Sequence, residues 1–346
     1  MLTNKTLYSL DDVAIMPAMK SNIYSRTHCS TKYYDEHLPI ITAPMPSVVG
    51  IDSFRTYINS GIIPVIPRTV PYNDRLLVLS ERFTMPVFVA VSLDEADDVI
   101  KRIKKSDSKF RRHICIDIAN GNMAFLFNRV RDCQNLPYIK LMVGNVANPD
   151  TFDMLCSYGA DYIRLSIGTG DGCATATTTG VYYGMATLID ECNKIKMRYK
   201  LDNEKHYTKI IADGGIRNHR NAIKALALGA DYVMCGSWLS TLVGSSGTIV
   251  MTDQGPCKKY YGMASLDGMG ELSRVKGTPY SRRAPEGFVK YKPMSRTTIS
   301  EFAETFSQRL ASAMSYCGVS RIEDFIGKPT VNILSPNASK QFNQDF

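Results

Sequence analysis

Short runs of β-branched and apolar residues recur along the chain, each followed by a longer stretch in which apolar positions return every three or four residues. The runs are Leu38–Thr42, Ile62–Ile66, Pro86–Val91, His113–Ile118, Ile139–Val143, Tyr162–Ile167, Lys209–Ala212 and Tyr232–Cys235, eight in all. Amphipathic segments fall between them, among them Glu95–Lys104, Thr151–Ser157, Tyr183–Met197 and Asn221–Leu228. Strand and helix patterns in strict alternation predict repeated βα units and a parallel sheet. Eight such units close most naturally into one (β/α)₈ barrel. A doubly wound open sheet is the alternative, and its six or so strands fit the count less well.

Two stretches break the rhythm. Ser245–Pro293 follows the eighth run and is rich in Gly, Pro, Tyr and charge, so it is expected to be a lid or flap. Pro329–Phe346 is polar and is expected to be loosely held. The whole chain, 1–346, therefore reads as one barrel domain carrying a lid and a tail.

Composition narrows the classes. Nine cysteines, scattered and without paired metal spacing, argue for a reducing, cytoplasmic setting and against a disulfide framework or a zinc site. Met1–Lys5 lacks the apolar core of a secretion signal, and no apolar stretch nears the length of a membrane span. The net charge of +8 comes from dispersed lysines and arginines with no block of five, which suits anionic small substrates better than nucleic acid.

In a barrel the chemistry sits where the strands end. There the chain places Ala43-Pro44-Met45, Asp117–Gly121, Gly144-Asn145, Gly168–Thr175, Asp213-Gly214-Gly215 and Gly236-Ser237. Glycines after the seventh and eighth strands let backbone N–H groups approach a phosphate closely. Asp213 beside them would accept hydrogen bonds from sugar hydroxyls, or would instead cap the following helix. Cys173, in a glycine-rich loop, would be exposed enough to attack an electrophilic carbon. The blander readings are an ordinary Gly-x-Gly turn and a buried small thiol.

These same residues carry a resemblance. Ile211–Arg217 and Lys224–Ser237 closely resemble the nucleotide-phosphate region of the inosine-5′-monophosphate dehydrogenase/GMP reductase family. Leu10-Asp-Asp-Val13, Pro44-Met45, Gly144-Asn-Val146, Gly159-Ala-Asp161, Tyr260-Tyr-Gly-Met263 and Glu286-Gly287 follow in the family's order, from about Leu10 to Gly327. Within that family the reductase branch is favoured by three features. Arg68–Pro86 leaves no room for the paired cystathionine-β-synthase-type modules that dehydrogenases usually insert. Asp117-Ile-Ala-Asn-Gly121 looks like the reductase version of its motif, and Arg283-Ala-Pro-Glu-Gly287 stands where dehydrogenases carry an Arg-Tyr pair. Gly262–Met269, by contrast, looks like a dehydrogenase.

The resemblance implies reduction of GMP to IMP and ammonia, with NADPH as hydride donor. Cys173 would form a thioimidate at C2 of the purine, and Thr175 and Glu286 would relay protons to the departing amine. Met45, Asp171, Asp213, Gly214, Gly215, Gly236, Ser237, Tyr260, Gly262 and Met263 would hold the purine monophosphate. Arg68, Asp117, Asn120, Ser265, Arg283 and Gly287 would face the cofactor. The backbone carbonyls of Gly168, Gly170 and Cys173 would suit a monovalent cation such as K⁺, and a homotetramer is implied. Still open are an IMP dehydrogenase lacking the insert (with NAD), a relative acting on a modified or unphosphorylated purine, and a catalytically silent nucleotide binder. One departure bears on the choice: Asp171 stands where the family has a serine that helps hold the phosphate. A bare carboxylate about 4 Å from a phosphate dianion would cost on the order of several kcal/mol at an effective dielectric near 20. Ala43, Arg68 (for a lysine) and Pro285 also depart from the family pattern.

Overall fold

The computed structural model describes residues 3–107, 110–134, 136–202, 207–253, 255–277 and 284–343. Each of the eight apolar runs forms a strand: β1 (Ile40–Thr42), β2 (Val65–Ile66), β3 (Phe88–Val91), β4 (Arg112–Asp117), β5 (Ile139–Val146), β6 (Tyr162–Leu165), β7 (Lys209–Asp213) and β8 (Tyr232–Cys235). All neighbouring pairs are parallel, and β8 pairs with β1. The remaining gap, between β1 and β2, is bridged by backbone bonds: Thr42 N–H to the Ile63 carbonyl at 2.9 Å and Ile63 N–H to the Ile40 carbonyl at 3.0 Å. The sheet is thus a (β/α)₈ barrel. Its strands are apolar throughout because both faces are covered, one by the barrel interior and one by helices.

The helices follow their sequence signals. Leu93–Lys105 buries Ala96, Val99, Ile100 and Ile103 on one stripe, and a capping box joins Ser92 and Glu95 at its start. His219–Leu228 is capped by the Asn218 side chain, which accepts the Asn221 N–H. Asp213 is therefore no helix cap, and that alternative falls. Among the described residues no helix is long and apolar enough to cross a membrane.

Two regions differ from expectation. The stretch after β8 is not one long loop: it holds an antiparallel sheet of β9 (Ile249–Thr252), β10 (Gly255–Tyr261) and β11 (Val289–Pro293), with a helix, Leu266–Lys276, between the last two. Lysines interrupt both β10 (Lys258, Lys259) and β11 (Lys290, Lys292) where a core strand would carry valine or isoleucine, so an apolar-run criterion passes over them. The described part of the tail, up to residue 343, is tied down rather than loose. Val331–Ile333 pairs antiparallel with Val13–Ile15, and Arg220 donates to the Phe342 carbonyl at 2.6 Å.

Gly159-Ala-Asp161 and Gly229-Ala-Asp231 do the same job at the N-terminal end of the barrel. Each Asp exchanges hydrogen bonds with the strand before it: the Asp161 carboxylate accepts the Leu141 N–H at 2.9 Å, and that of Asp231 accepts the Ile210 N–H at 2.8 Å. Each also takes a lysine, Lys140 or Lys196. Asp231 and Lys196 are both buried. Burial would push the Asp231 carboxyl up, but Lys196 and Lys209 outweigh it and hold it below its ordinary value. Asp231→Asn strands Lys196 and is expected to cost about 3 kcal/mol of unfolding free energy in urea titration. A loss below about 1 kcal/mol would refute the pairing's importance. Because the folded carboxyl is depressed, its contribution is present above the ordinary carboxylate range, about 4, and is lost as pH falls through the folded value.

Candidate active site

A cavity of about 670 Å³ opens at the C-terminal ends of the strands. Ala43–Met45, Arg68, Asp117, Asn145, Arg164, the loop from Gly168 to Cys173, Asp213–Arg217, Gly236, Ser237, Tyr260 and Glu286 all face it.

Cys173 is half-buried on the loop after β6. The incoming arm of β11 holds that loop by backbone contacts. Ala174 N–H donates to the Glu286 carbonyl at 2.8 Å, Phe288 N–H donates to the Gly172 carbonyl at 3.0 Å, and Cys173 bridges Gly287. Pinned this way, the Glu286 side chain meets Thr175 at the first turn of the helix Thr175–Thr179. The Cys173 thiol donates to Thr175 Oγ1 at 3.3 Å, and Thr175 Oγ1 donates to Glu286 Oε2 at 2.9 Å. Donor and acceptor roles run one way, from sulfur through hydroxyl to carboxylate. That is the direction in which a thiol proton is removed.

Below this lies a row of charges across the barrel mouth. Arg164, on β6, is buried and donates to Asp117 Oδ1 at 2.7 Å and to Asp213 Oδ2 at 2.9 Å. Arg68 closes on the other oxygen of Asp117 at 3.0 Å. Asn145 adds a bond to Asp213 Oδ2 at 2.7 Å. A register shift in the β5–β6 pairing between Val143 and Val146 sets Asn145 out of the regular ladder, a common way to re-aim a side chain at a site. Burial would push the Asp117 carboxyl up, yet Arg68 and Arg164 hold it below its usual value. The three described contacts to Asp213 all reach Oδ2, and its Oδ1 accepts from no described residue.

At the ends of β7 and β8 the glycines are required by space and dihedral. Gly214 has φ +89°, and a Cβ there would lie 2.5 Å from Thr169 Oγ1. A Cβ on Gly236 would lie 2.9 Å from the Tyr260 hydroxyl. A side chain at either position would collide with Thr169 or Tyr260, so the backbone itself lines this corner of the cavity.

Asp171 carries its own cations. Its carboxylate accepts Lys290 at 2.6 Å and also pairs with Lys292, both on β11. Burial raises a carboxyl, but here the two ammonium groups win and hold Asp171 well below the usual range.

Of the remaining expected residues, Met45, Gly215, Ser237, Gly262, Met263 and Asn120 line the same cavity. Gly168 and Gly170 line it too, and the Gly170 carbonyl accepts the Cys173 N–H at 3.0 Å. Ser265 and Gly287 do not. Ser265 is fully buried with its hydroxyl accepting the Gly268 N–H as a helix cap, and a Cβ on Gly287 would lie 2.8 Å from Ser265 N. Arg283 lies outside the described residues. Arg164, Lys290 and Lys292 were not expected, whereas Asn145 stands at the strand end where the sequence placed it. A lone charge inside an apolar strand was the available signal for Arg164, and two lysines at alternate positions were the signal on β11. Among the described residues no group of three or more His, Cys, Asp or Glu could hold a metal.

Known proteins resemble the chain over most of its length. Residues 7–341 match the IMP dehydrogenase / GMP reductase domain. The chain is 28% identical to a GMP reductase of Staphylococcus epidermidis over 321 residues, covering 90% of this chain and 92% of that one. It is 28% identical to a GMP reductase of Clostridium acetobutylicum over 324 residues, with 91% and 92% covered. A GMP reductase of Lactobacillus delbrueckii subsp. bulgaricus is 26% identical over 340 residues, with 94% and 96% covered. A domain match across nearly the whole chain, on a (β/α)₈ barrel whose strand ends gather a thiol, a hydroxyl and carboxylate hydrogen-bonded to it in series and a glycine-lined corner, makes this protein an oxidoreductase of the IMP dehydrogenase/GMP reductase family.

Proposed function

We propose that the chain reduces GMP to IMP and ammonia with NADPH as hydride donor. The observation that carries this is the hydrogen-bonded chain from Cys173 through Thr175 to Glu286. The names of the similar proteins support the reductase direction.

In this reading the Cys173 sulfur adds to C2 of the purine as its proton passes through Thr175 to Glu286. The same relay returns a proton to the 2-amino group, which leaves as ammonia, and the carbon–sulfur bond remains as a thioimidate. NADPH supplies the hydride that replaces sulfur at C2, and the thiolate departs. The glycine corner after β7 and β8 takes the phosphate through backbone N–H groups. Asp213, fixed by Arg164 and Asn145 through Oδ2, presents Oδ1 to the ribose hydroxyls. Among the cofactor candidates Arg68 and Asp117 are already bound to each other, so they act by shaping the wall, while Asn120 stands exposed beside them.

Three outcomes are expected. Cys173→Ala abolishes NADPH oxidation with GMP, by about 10³-fold or more, while GMP affinity in calorimetry stays within a few-fold. Turnover within about tenfold of the parent would remove the sulfur from its role. Glu286→Gln and Thr175→Val each lower kcat by about 10²- to 10⁴-fold, with KM for GMP little changed. If KM alone moves, these residues bind rather than relay. Asp213→Asn weakens GMP binding by about 1.5–3 kcal/mol through the lost charge-assisted bonds, and unchanged affinity would put the ribose elsewhere. Parallel assays with IMP and NAD separate the reductase from the dehydrogenase, since only one pair should turn over at an appreciable rate.

A further inference from the structure

Asp171 is an anion on the wall of a cavity that, in the reading above, receives another anion. Its neighbours remove the paradox. Lys290 and Lys292 stand two apart on β11, so their side chains leave the same face of the strand. Both reach Asp171. Two ammonium groups and one carboxylate leave one positive charge in excess at this junction. Lys292 also lies over the Tyr260 ring, 5.6 Å from its centroid, and the hydroxyl of that ring abuts Gly236 at the glycine corner. Neither lysine lines the cavity in this structure, but both end on Asp171, which does, and Lys290 retains 43% side-chain exposure.

We propose that Lys290 and Lys292, seated on Asp171, recognise the anionic end of the substrate, so that β11 and not the barrel alone sets the preference for a phosphorylated purine. This rests on the proposed monophosphate substrate. Asp171 acts as the post that aims both lysines: it holds two long, flexible chains in place, so that less side-chain freedom is lost when phosphate arrives. Phosphate oxygens then complete the ammonium groups' hydrogen bonds, each lysine having three donors and only one carboxylate to share.

Calorimetric titration with GMP and with guanosine, without cofactor, tests this on four forms of the full chain. The parent should favour GMP strongly over guanosine. Lys290→Met with Lys292→Met should cut that preference by about tenfold or more and leave guanosine affinity within about twofold. Asp171→Asn alone should keep or enlarge the preference, because the junction then carries a larger excess of positive charge. The triple change Asp171→Asn, Lys290→Met, Lys292→Met removes all three charges and leaves no buried carboxylate unpaired, so it guards against a mere folding defect. It should still lack the preference. A triple variant that favours GMP as the parent does would mean the lysines serve only to neutralise Asp171, and would overturn the assignment. A parent that binds guanosine as well as GMP would instead sink the monophosphate reading itself.

Discussion

The cavity floor is organised by one buried guanidinium. Arg164 projects from β6 between two carboxylates that belong to strands on either side, Asp117 on β4 and Asp213 on β7. Burial works against its charge, but Asp213 and Asp117 together hold it firmly protonated. A charge so placed is tolerable only while both partners stay, because removing either leaves an uncompensated ion in a low-dielectric setting. The ends of three strands are thereby fixed relative to one another. Arg68 and Asn145 extend the row, so that five side chains from five strands or strand ends share one electrostatic solution.

The groups proposed to react are held differently. Cys173, Thr175 and Glu286 belong to the loop after β6 and to the arm that leads into β11, and they meet because backbone bonds zip residues 172–174 onto 286–288. The same arm continues into the strand whose lysines grip Asp171, one residue before Gly172. One short stretch of chain therefore supplies the Glu286 carboxylate, the backbone clasp on the Cys173 loop and the cations on Asp171. Its place in the sequence, some fifty residues beyond the last barrel strand, hides this convergence.

Legibility followed the same division. The barrel could be read from the sequence because its signals are local: apolar runs of strand length, capped amphipathic helices and glycines where the backbone must turn or come close. Cys173, Asp213 and the glycine pairs could be placed because barrel geometry puts strand ends together whatever the rest of the chain does. Lys290 and Lys292 could not be placed, since nothing nearby in sequence says that β11 returns to the β6 loop. Ser265 is ambiguous for a related reason. A serine before a helical run is ambiguous between cap and ligand contact, and here the Gly268 N–H takes it. Asp171 looked like a defect because its compensation lies more than a hundred residues away.

The contrast between floor and loop has a mechanistic consequence. Asp213 and the glycine corner, proposed to hold sugar and phosphate, stand on the barrel strands, while the Glu286 partner of the Cys173–Thr175 pair and the two lysines stand on an annealed segment outside it. Loosening the 286–288 arm would misplace the relay and the lysines together, yet would leave Asp213 and the glycine corner as they are, because Arg164 and the β-ladder do not need that arm. In the proposed reading, phosphate contacts to Lys290 and Lys292 would bear on the same strand whose preceding residues seat Glu286 against Thr175, so binding energy from the nucleotide would be drawn into ordering that segment. Coupling recognition to assembly in this way would let a remote group of the substrate improve chemistry at C2 without touching it.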